Sequence, residues 1–309
     1  MEYVFGPVPS RRLGMSLGVD LIPYKTCSYN CVYCELGKTT KKTIIRKEYV
    51  SKDLILTQLA EYLTLLNSPP SYITISGSGE PTLNSKIGGI IDEIKRITTI
   101  PVAVITNGSL FFMDQVKEDL LKADIVLPSL DAVSTLVFKH INRPEPSLDI
   151  NEIIKGLIDF RKGFSGKIWL EILFCRVLND DHAEVERIRE KIEDIKPDKI
   201  QLNTVVRPST EDFAYPLSEK QLVSIKEILG ARAELISDIV PSEKGITFAN
   251  KEEKILNLIS RRPCTCDDLC MALGLHYNEA LKYLDKLLKE GGVHYTLHNH
   301  RGYYHVKNI

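Results

Sequence analysis

The chain is predicted to be an α/β protein: a partial (β/α)6 barrel of the TIM type followed by a small C-terminal winged helix-turn-helix domain. Three observations predict this. Over the first 245 or so of the 309 residues, short apolar β-type runs alternate with longer amphipathic segments, the pattern of βα units around a parallel sheet. From Asn250 onward that alternation gives way to three short helical patterns and an alternating tail. With 43% hydrophobic residues, the length suits one large domain plus a small one.

Six candidate strands lead the first region: Leu17 to Ile22, Tyr72 to Ser76, Val102 to Thr106, Ile125 to Leu130, Ile168 to Phe174 and Ile200 to Val205. Helical spacing of apolar residues runs through Ser51 to Asn67, Lys86 to Thr98, Met113 to Ala123, Ile150 to Phe164 and Asp181 to Ile195, several opened by Ser, Asp or Asn in capping positions. A further helix, Ser218 to Leu229, precedes a short apolar run at Ala233 to Ser237. The Pro, Glu, Lys and Gly of Pro241 to Gly245 then mark a boundary between domains 1–245 and 246–309. The C-terminal helices are expected at Lys251 to Ser260, Thr265 to Leu273 and Asn278 to Glu290, stopped by Gly274 and Gly291-Gly292, with strands within Val293 to Val306.

A net charge of −1 and a mean hydropathy of −0.09 exclude a polycationic nucleic-acid binder, a disordered chain and a multi-span membrane protein. The opening Met1-Glu2-Tyr3-Val4-Phe5-Gly6-Pro7 has no basic stretch leading into an apolar run, so a cytoplasmic, membrane-free protein is expected. The 7 cysteines suit that reducing compartment, because their crowding favours metal ligation over a disulfide framework.

Cys27, Cys31 and Cys34 carry the strongest chemical signal. They follow the first predicted strand, on the face where barrel enzymes place their chemistry. A structural zinc takes four ligands, and no further Cys or His follows until His140 and Cys175. Two readings stand: a catalytic zinc with an open water position, or a [4Fe-4S] cluster whose fourth iron has no protein ligand.

The spacing of three residues and then two, with aromatic Tyr33 before the last cysteine, resembles the radical S-adenosylmethionine (SAM) superfamily. Other strand-end motifs are similar to that family too. Ser76-Gly77-Ser78-Gly79-Glu80-Pro81 looks like the glycine-glutamate motif that holds the SAM amino group. Thr106-Asn107-Gly108 and Ser129-Leu130-Asp131 resemble later family motifs, the second at the SAM ribose. Asn179-Asp180-Asp181 is similar to the molybdenum-cofactor cyclase branch. Ser78 to Leu83 looks closest to wyosine-base synthase, although no earlier cysteine set precedes the triplet. Pro9-Ser10-Arg11-Arg12-Leu13-Gly14 resembles a set of iron-sulfur oxidoreductases without an assigned substrate.

The resemblance implies a [4Fe-4S] cluster on Cys27, Cys31 and Cys34, and SAM held by Tyr33, Ser78, Gly79, Glu80, Thr106, Asn107, Ser129, Asp131 and Asn179. It further implies a one-electron reductant such as flavodoxin or ferredoxin, and a 5′-deoxyadenosyl radical that takes hydrogen from the substrate.

Strand parity adds substrate candidates without the family. Glu171, Leu173 and Cys175 share one face, and a charged Glu171 is better accommodated in the lumen than against apolar helices. Gln201, Asn203, Val205 and Arg207 share a face on the next strand. Glu171, Cys175, Asn203 and Arg207 are therefore the expected catalytic residues, Cys175 as a hydrogen-atom donor or as simple packing. Arg11, Arg12, Lys38, Lys41, Lys42, Arg46 and Lys47 flank the cysteines, either as an anion-binding rim or as solvated surface. Arg11 and Arg12 are the preferred substrate contacts.

Residues 249–309 carry 9 basic and 7 acidic side chains and five of the seven histidines. With Arg301, Tyr303 and Tyr304, the C-terminal strands suit an RNA or a protein partner. Cys264, Cys266 and Cys270 match either a second metal site or core packing. The expected activity is radical chemistry on an RNA base or other anionic molecule. Modification of a peptide or small cofactor precursor is the alternative within that class, and a redox-sensing iron-sulfur DNA regulator the alternative outside it.

Overall fold

A computed structural model describes residues 3–66, 68–236 and 251–306. The predicted boundary stretch Pro241 to Gly245 lies outside the described residues. The chain runs β1 (Val4–Ser10), β2 (Gly14–Val19), β3 (Thr26–Cys27), β4 (Lys41–Lys42), α1 (Lys52–Thr64), β5 (Tyr72–Ile75), α2 (Ile87–Ile97), β6 (Val102–Thr106), α3 (Asp114–Leu120), β7 (Ile125–Pro128) and α4 (Thr135–Ile141). It continues with α5 (Ile150–Gly163), β8 (Lys167–Phe174), α6 (His182–Ile195), β9 (Lys199–Thr204), α7 (Glu219–Leu229) and β10 (Ala233–Leu235). The last elements are α8 (Lys251–Ile259), α9 (Cys266–Leu273), α10 (Tyr277–Lys289), β11 (Val293–His298) and β12 (Arg301–Val306).

One sheet orders its strands β1-β2-β5-β6-β7-β8-β9-β10, parallel throughout except for antiparallel β1. The expected six-strand count is thereby corrected to eight. Pro7 and Pro9 hide β1 in the sequence because proline lacks a ladder donor, and an edge strand tolerates that loss. The brief run at Ala233 proves to be a parallel edge strand on β9. The first predicted strand also begins earlier, at Gly14, and stops before Asp20.

Helices cover the outer face through apolar stripes. On α2, Ile87, Ile90, Ile91 and Ile94 are all fully buried at helical spacing, against strand residues such as Ile73, Ile75, Val102 and Val104. Each such side chain contributes about 1.5–3 kcal/mol by leaving water. Local signals set the helix ends: Asp181 caps α6 by accepting from Glu184 N at 3.1 Å, and Ser218 with Gln221 forms a capping box on α7. The inner face is polar by contrast. Ser16 and Thr74 are hydrogen-bonded at 2.5 Å, and Glu171 and Asn203 lie beyond them.

Helices α8 to α10 and the β11–β12 hairpin form a second core around Ile255, Leu269, Leu273 and Leu284. This unit packs on β1 and on the segment after β9. Arg261 stacks 4.2 Å over Phe5 and pairs with Asp20 at 3.0 Å, while Tyr303 donates to the Val206 carbonyl at 2.9 Å. The C-terminal unit thus reaches both the first strand of the sheet and the end of β9. Tyr303, expected to face a nucleic acid, is instead buried in that junction. Cys264 and Cys266 belong to the second core. Among the described residues no group of three or more His, Cys, Asp or Glu is arranged to hold one metal ion, at Cys264, Cys266 and Cys270 or at Cys27, Cys31 and Cys34.

Candidate active site

A cavity of about 390 Å³ opens along the inner face, lined by Cys27, Cys34, Tyr33, Gly79, Glu80, Thr106, Asn107, Ser129, Glu171, Asn203 and Arg207. Residues more than a hundred positions apart meet there because most follow the C-terminal ends of parallel strands, while Glu171 faces the same space from within β8. Arg11 and Arg12 enter from the β1–β2 turn, and Leu258, Arg261 and Arg262 enter from the C-terminal unit.

The cysteine loop is fixed from three sides. Val32 N donates to Ile141 O at 2.9 Å and Asn30 N to Asn142 O at 3.0 Å, which ties the loop to the end of α4. Glu211 N donates to Val32 O at 3.0 Å, bringing the segment after β9 across it. The β3–β4 ladder closes its base. N–H groups surround the sulfurs: Lys25 Nζ lies 3.0 Å from Cys34 Sγ, Asn107 Nδ2 3.5 Å from Cys27 Sγ and Asn142 Nδ2 3.6 Å from Cys31 Sγ. Lys25 is buried, which disfavours its ammonium, yet the sulfurs, Cys34 foremost, hold its pKa above the usual lysine value. Burial pushes Cys27 up to about 12 and Cys31 well above an ordinary thiol. As bare thiols these groups stay protonated, so a bound cation is what would make them thiolates.

The donor set fits an iron-sulfur cluster. Three soft sulfur donors leave one position without a protein ligand, and amide and ammonium donors stand where anionic sulfur needs them. That fit is argued from donor chemistry, since the three sulfurs are not gathered around a single ion.

Glu80 faces the same cavity and is almost completely buried. Its carboxylate accepts from Thr82 N at 3.0 Å, Thr82 Oγ1 and Thr106 Oγ1 at 2.6 Å, and Asn107 N at 2.7 Å. Burial raises its pKa and the four donors partly offset that rise, giving an oriented anion suited to an ammonium group. Its loop lies against the cysteine loop: Lys25 N donates to Ser78 O at 2.7 Å and Glu80 N to Thr26 O at 3.1 Å. A Cβ on Gly79 would sit 2.0 Å from Thr26 O, so only glycine permits this approach.

Glu171 accepts from Arg12 and, at 2.9 Å, from Asn203 Nδ2, and both Glu171 and Asn203 line the cavity. Four other expected residues sit elsewhere. Ser78 is outside the lining because its hydroxyl bonds Asp20 at 2.5 Å. The Asp131 carboxylate is occupied by Tyr33 OH, by Asn142 Nδ2 at 2.8 Å and by Leu173 N at 2.9 Å, and burial lifts its pKa to about 6.

Asn179 bonds Cys175 N, Asp131 O and Leu173 O, each at 2.8 Å. Cys175 is fully buried outside the cavity, since β8 ends at Phe174 and the alternation stops with it. Asp131 and Asn179 therefore hold the β7 and β8 ends together and do not line the space. Asn179→Ala should strand these buried groups and lower stability by about 3 kcal/mol in urea unfolding; a loss below about 1 kcal/mol would contradict the role.

Most of the expected basic rim is otherwise engaged. Arg46 pairs with Asp119 at 2.5 Å, Lys42 donates to the Arg143 and Pro144 carbonyls, and Lys41 and Lys47 lie over Tyr49. Sequence reasoning missed Asp20, Lys25, Glu35, Arg261 and Arg262. A polar Asp20 straight after an apolar strand was a readable signal for one of them; the others depend on contacts distant in sequence.

Residues 21–187 match the family model described as "Radical SAM superfamily". A protein of Brachyspira hyodysenteriae named GTPase Obg is 41% identical over 94% of this chain, which spans only 43% of that protein's length. A UPF0026 protein of Methanocaldococcus jannaschii is 33% identical over 100% of this chain and 97% of its own. Among solved structures, a radical SAM methyltransferase from Sphaerobacter thermophilus superposes with a TM-score of 0.57 at 17% identity, over 71% of this chain and 65% of that one, a likeness of fold. No helix among the described residues is long and apolar enough to cross a membrane.

Proposed function

The chain belongs to the radical SAM superfamily and to the UPF0026 family, and from that premise we propose that it is an enzyme that cleaves SAM reductively and abstracts hydrogen from an anionic substrate. Its cofactors are those of the superfamily, a [4Fe-4S] cluster and SAM. One observation carries the reading: sulfurs from the cysteine loop and the oriented carboxylate of Glu80 line one cavity.

In this proposal Cys27, Cys31 and Cys34 hold the cluster, and Glu80 accepts the SAM ammonium beside Gly79, Thr106 and Asn107. Ser129 and Tyr33 bound the nucleoside side. The bound cofactors supply one-electron cleavage of the sulfonium and a 5′-deoxyadenosyl radical. The protein's own work is positioning and exclusion of water. Glu171, held by Arg12 and Asn203, offers the substrate a fixed acceptor. A flavodoxin or ferredoxin would deliver the electron. Within the domain 246–309 we read the described residues 251–306 as a winged helix-turn-helix that closes the cavity, because Leu258, Arg261 and Arg262 form part of the lining. That placement also favours an enzyme over a DNA-reading regulator, whose winged helix would have to stay free.

The test is anaerobic reconstitution with iron and sulfide, reduction, addition of SAM and quantification of 5′-deoxyadenosine. Release of 5′-deoxyadenosine is expected; zinc in place of iron, or no SAM binding, would overturn the reading.

Lys25 gives a spectroscopic prediction. Its ammonium, 3.0 Å from Cys34 Sγ, favours whichever cluster state carries more negative charge, the reduced one. A charged hydrogen bond worth about 1.5–3 kcal/mol bounds the one-electron shift at roughly 65–130 mV, because only the part that differs between the two cluster states moves the potential. Lys25→Met should lower the midpoint potential within that bound in an EPR-monitored redox titration, and an unchanged potential would remove Lys25 from this role.

A further inference from the structure

Resting on the radical SAM reading of the cavity, we propose that the C-terminal unit completes the substrate site and that the substrate is a small phosphate monoester, its phosphate held among Arg11, Arg207 and Arg262. Charge on the cavity wall is unequal, with five guanidinium groups against the carboxylates of Glu35, Glu80 and Glu171. Five arginines line the cavity: Arg11, Arg12, Arg207, Arg261 and Arg262. Three have carboxylate partners, since Arg12 pairs with Glu171, Arg261 with Asp20 at 3.0 Å and Arg207 with Glu35 at 3.2 Å and Asp268 at 3.9 Å. Arg11 and Arg262 make no ion pair with a described residue.

Glu35 and Asp268 both pair with Arg207, at 3.2 and 3.9 Å, and among the described residues neither pairs with Arg11 or Arg262. Arg11 feels the surplus directly: burial first, and then repulsion from Arg207, lowers its pKa.

Hydrogen bonding shows the same deficit. The Nε atoms of Arg12 and Arg207 are buried with no hydrogen-bond partner among the described residues, and Arg207 is only 7% exposed. Each buried N–H left unpaired costs about 1–3 kcal/mol, so the empty arrangement is one that a ligand would relieve. A group with several oxygens and close to two negative charges answers both deficits, and guanidinium forks match phosphate oxygens in pairs. A carboxylate brings half the charge and fewer acceptors.

The arginines reach the cavity from the β1–β2 turn, the segment after β9 and the segment after α8. Glu80 and Asn107 come from the loops after β5 and β6, so the SAM contacts and the arginine group belong to different elements. Because the same cavity of about 390 Å³ also takes SAM in this reading, the guest beside Leu258 and Arg262 must be a small molecule.

The experiment is calorimetric titration of the reconstituted full chain with inorganic phosphate at low ionic strength, acetate serving as the carboxylate comparison. Phosphate should saturate a single site and acetate should bind at least about tenfold more weakly. Arg262→Gln, on the C-terminal unit, and Arg11→Gln, on the barrel, should each weaken phosphate at least about tenfold, whereas Lys155→Gln, on exposed α5, should not. Circular dichroism checks each fold, and Arg262→Lys, which keeps charge but loses the fork, should fall between wild type and Arg262→Gln. Absent phosphate binding, equal acetate binding, or affinity indifferent to Arg11 and Arg262 would overturn the proposal.

SAM cleavage measured on the same preparations separates the two readings. Cleavage without phosphate binding removes only this inference. Arginine-dependent phosphate binding without SAM binding removes the enzyme reading and leaves the anion site standing.

Discussion

Replacing Cys27, Cys31 and Cys34 together by Ala is expected to leave a folded protein that retains no cluster iron after reconstitution and releases no 5′-deoxyadenosine above background, a loss of at least about a thousandfold. The loop should survive because backbone bonds hold it: Val32 N to Ile141 O at 2.9 Å, Thr43 N to Cys27 O at 3.0 Å and Glu211 N to Val32 O at 3.0 Å. None of these needs a sulfur. The appropriate control is Cys266→Ala with Cys270→Ala, because Cys266 is a member of the C-terminal core and Cys270 packs against it. That pair should keep its iron and its SAM cleavage. Iron retained by the triple variant, or lost by the control, would place the centre on other residues.

Which parts of this site could be read from the sequence depends on how local their signals are. Cys27, Cys31 and Cys34 fall within eight residues, and Gly79-Glu80 follows an apolar run directly, so both are visible without a fold. Glu171 and Asn203 were readable because strand alternation holds along β8 and β9, where Asn203 stands opposite Leu173 and reaches Glu171 diagonally. The same rule failed two residues after Leu173, where the strand ends and Asn179 draws the Cys175 amide into a turn. Asp131 carried the right motif but the wrong orientation, since nothing local announces that Tyr33 and Asn142 will claim its carboxylate.

The closing of the cavity was the least legible feature. Asp20 and Arg261 lie 241 positions apart, and Tyr303 meets Val206 across 97. The winged-helix pattern alone suggested a surface for other molecules, whereas Tyr303 of that surface is buried against the segment after β9. β1 shows the same limitation in another form: its two prolines argue against a strand unless its edge position is already known.

Gly79→Ala is expected to weaken SAM binding by at least about tenfold while leaving the barrel folded. The added methyl carbon would lie 2.0 Å from Thr26 O and 2.9 Å from Ile22 Cγ2, and the first of these is a backbone atom that no rotamer change can move aside. Thr26 O is also the acceptor for Glu80 N at 3.1 Å, so relief requires the two loops to separate. Thr26 precedes Cys27 and Gly79 precedes Glu80, which means that separation displaces the cysteine loop and the ammonium acceptor relative to each other. Overpacking of this kind costs about 1–3 kcal/mol, or roughly tenfold to a hundredfold in an affinity that depends on both loops. The shift should appear in the SAM dissociation constant and in 5′-deoxyadenosine yield at limiting SAM, with iron content close to wild type because all three cysteines remain. Wild-type SAM affinity in Gly79→Ala would show that the contact between the loops does not set the SAM site, and would return Glu80 to a purely structural place at the head of the Pro81–Leu83 turn.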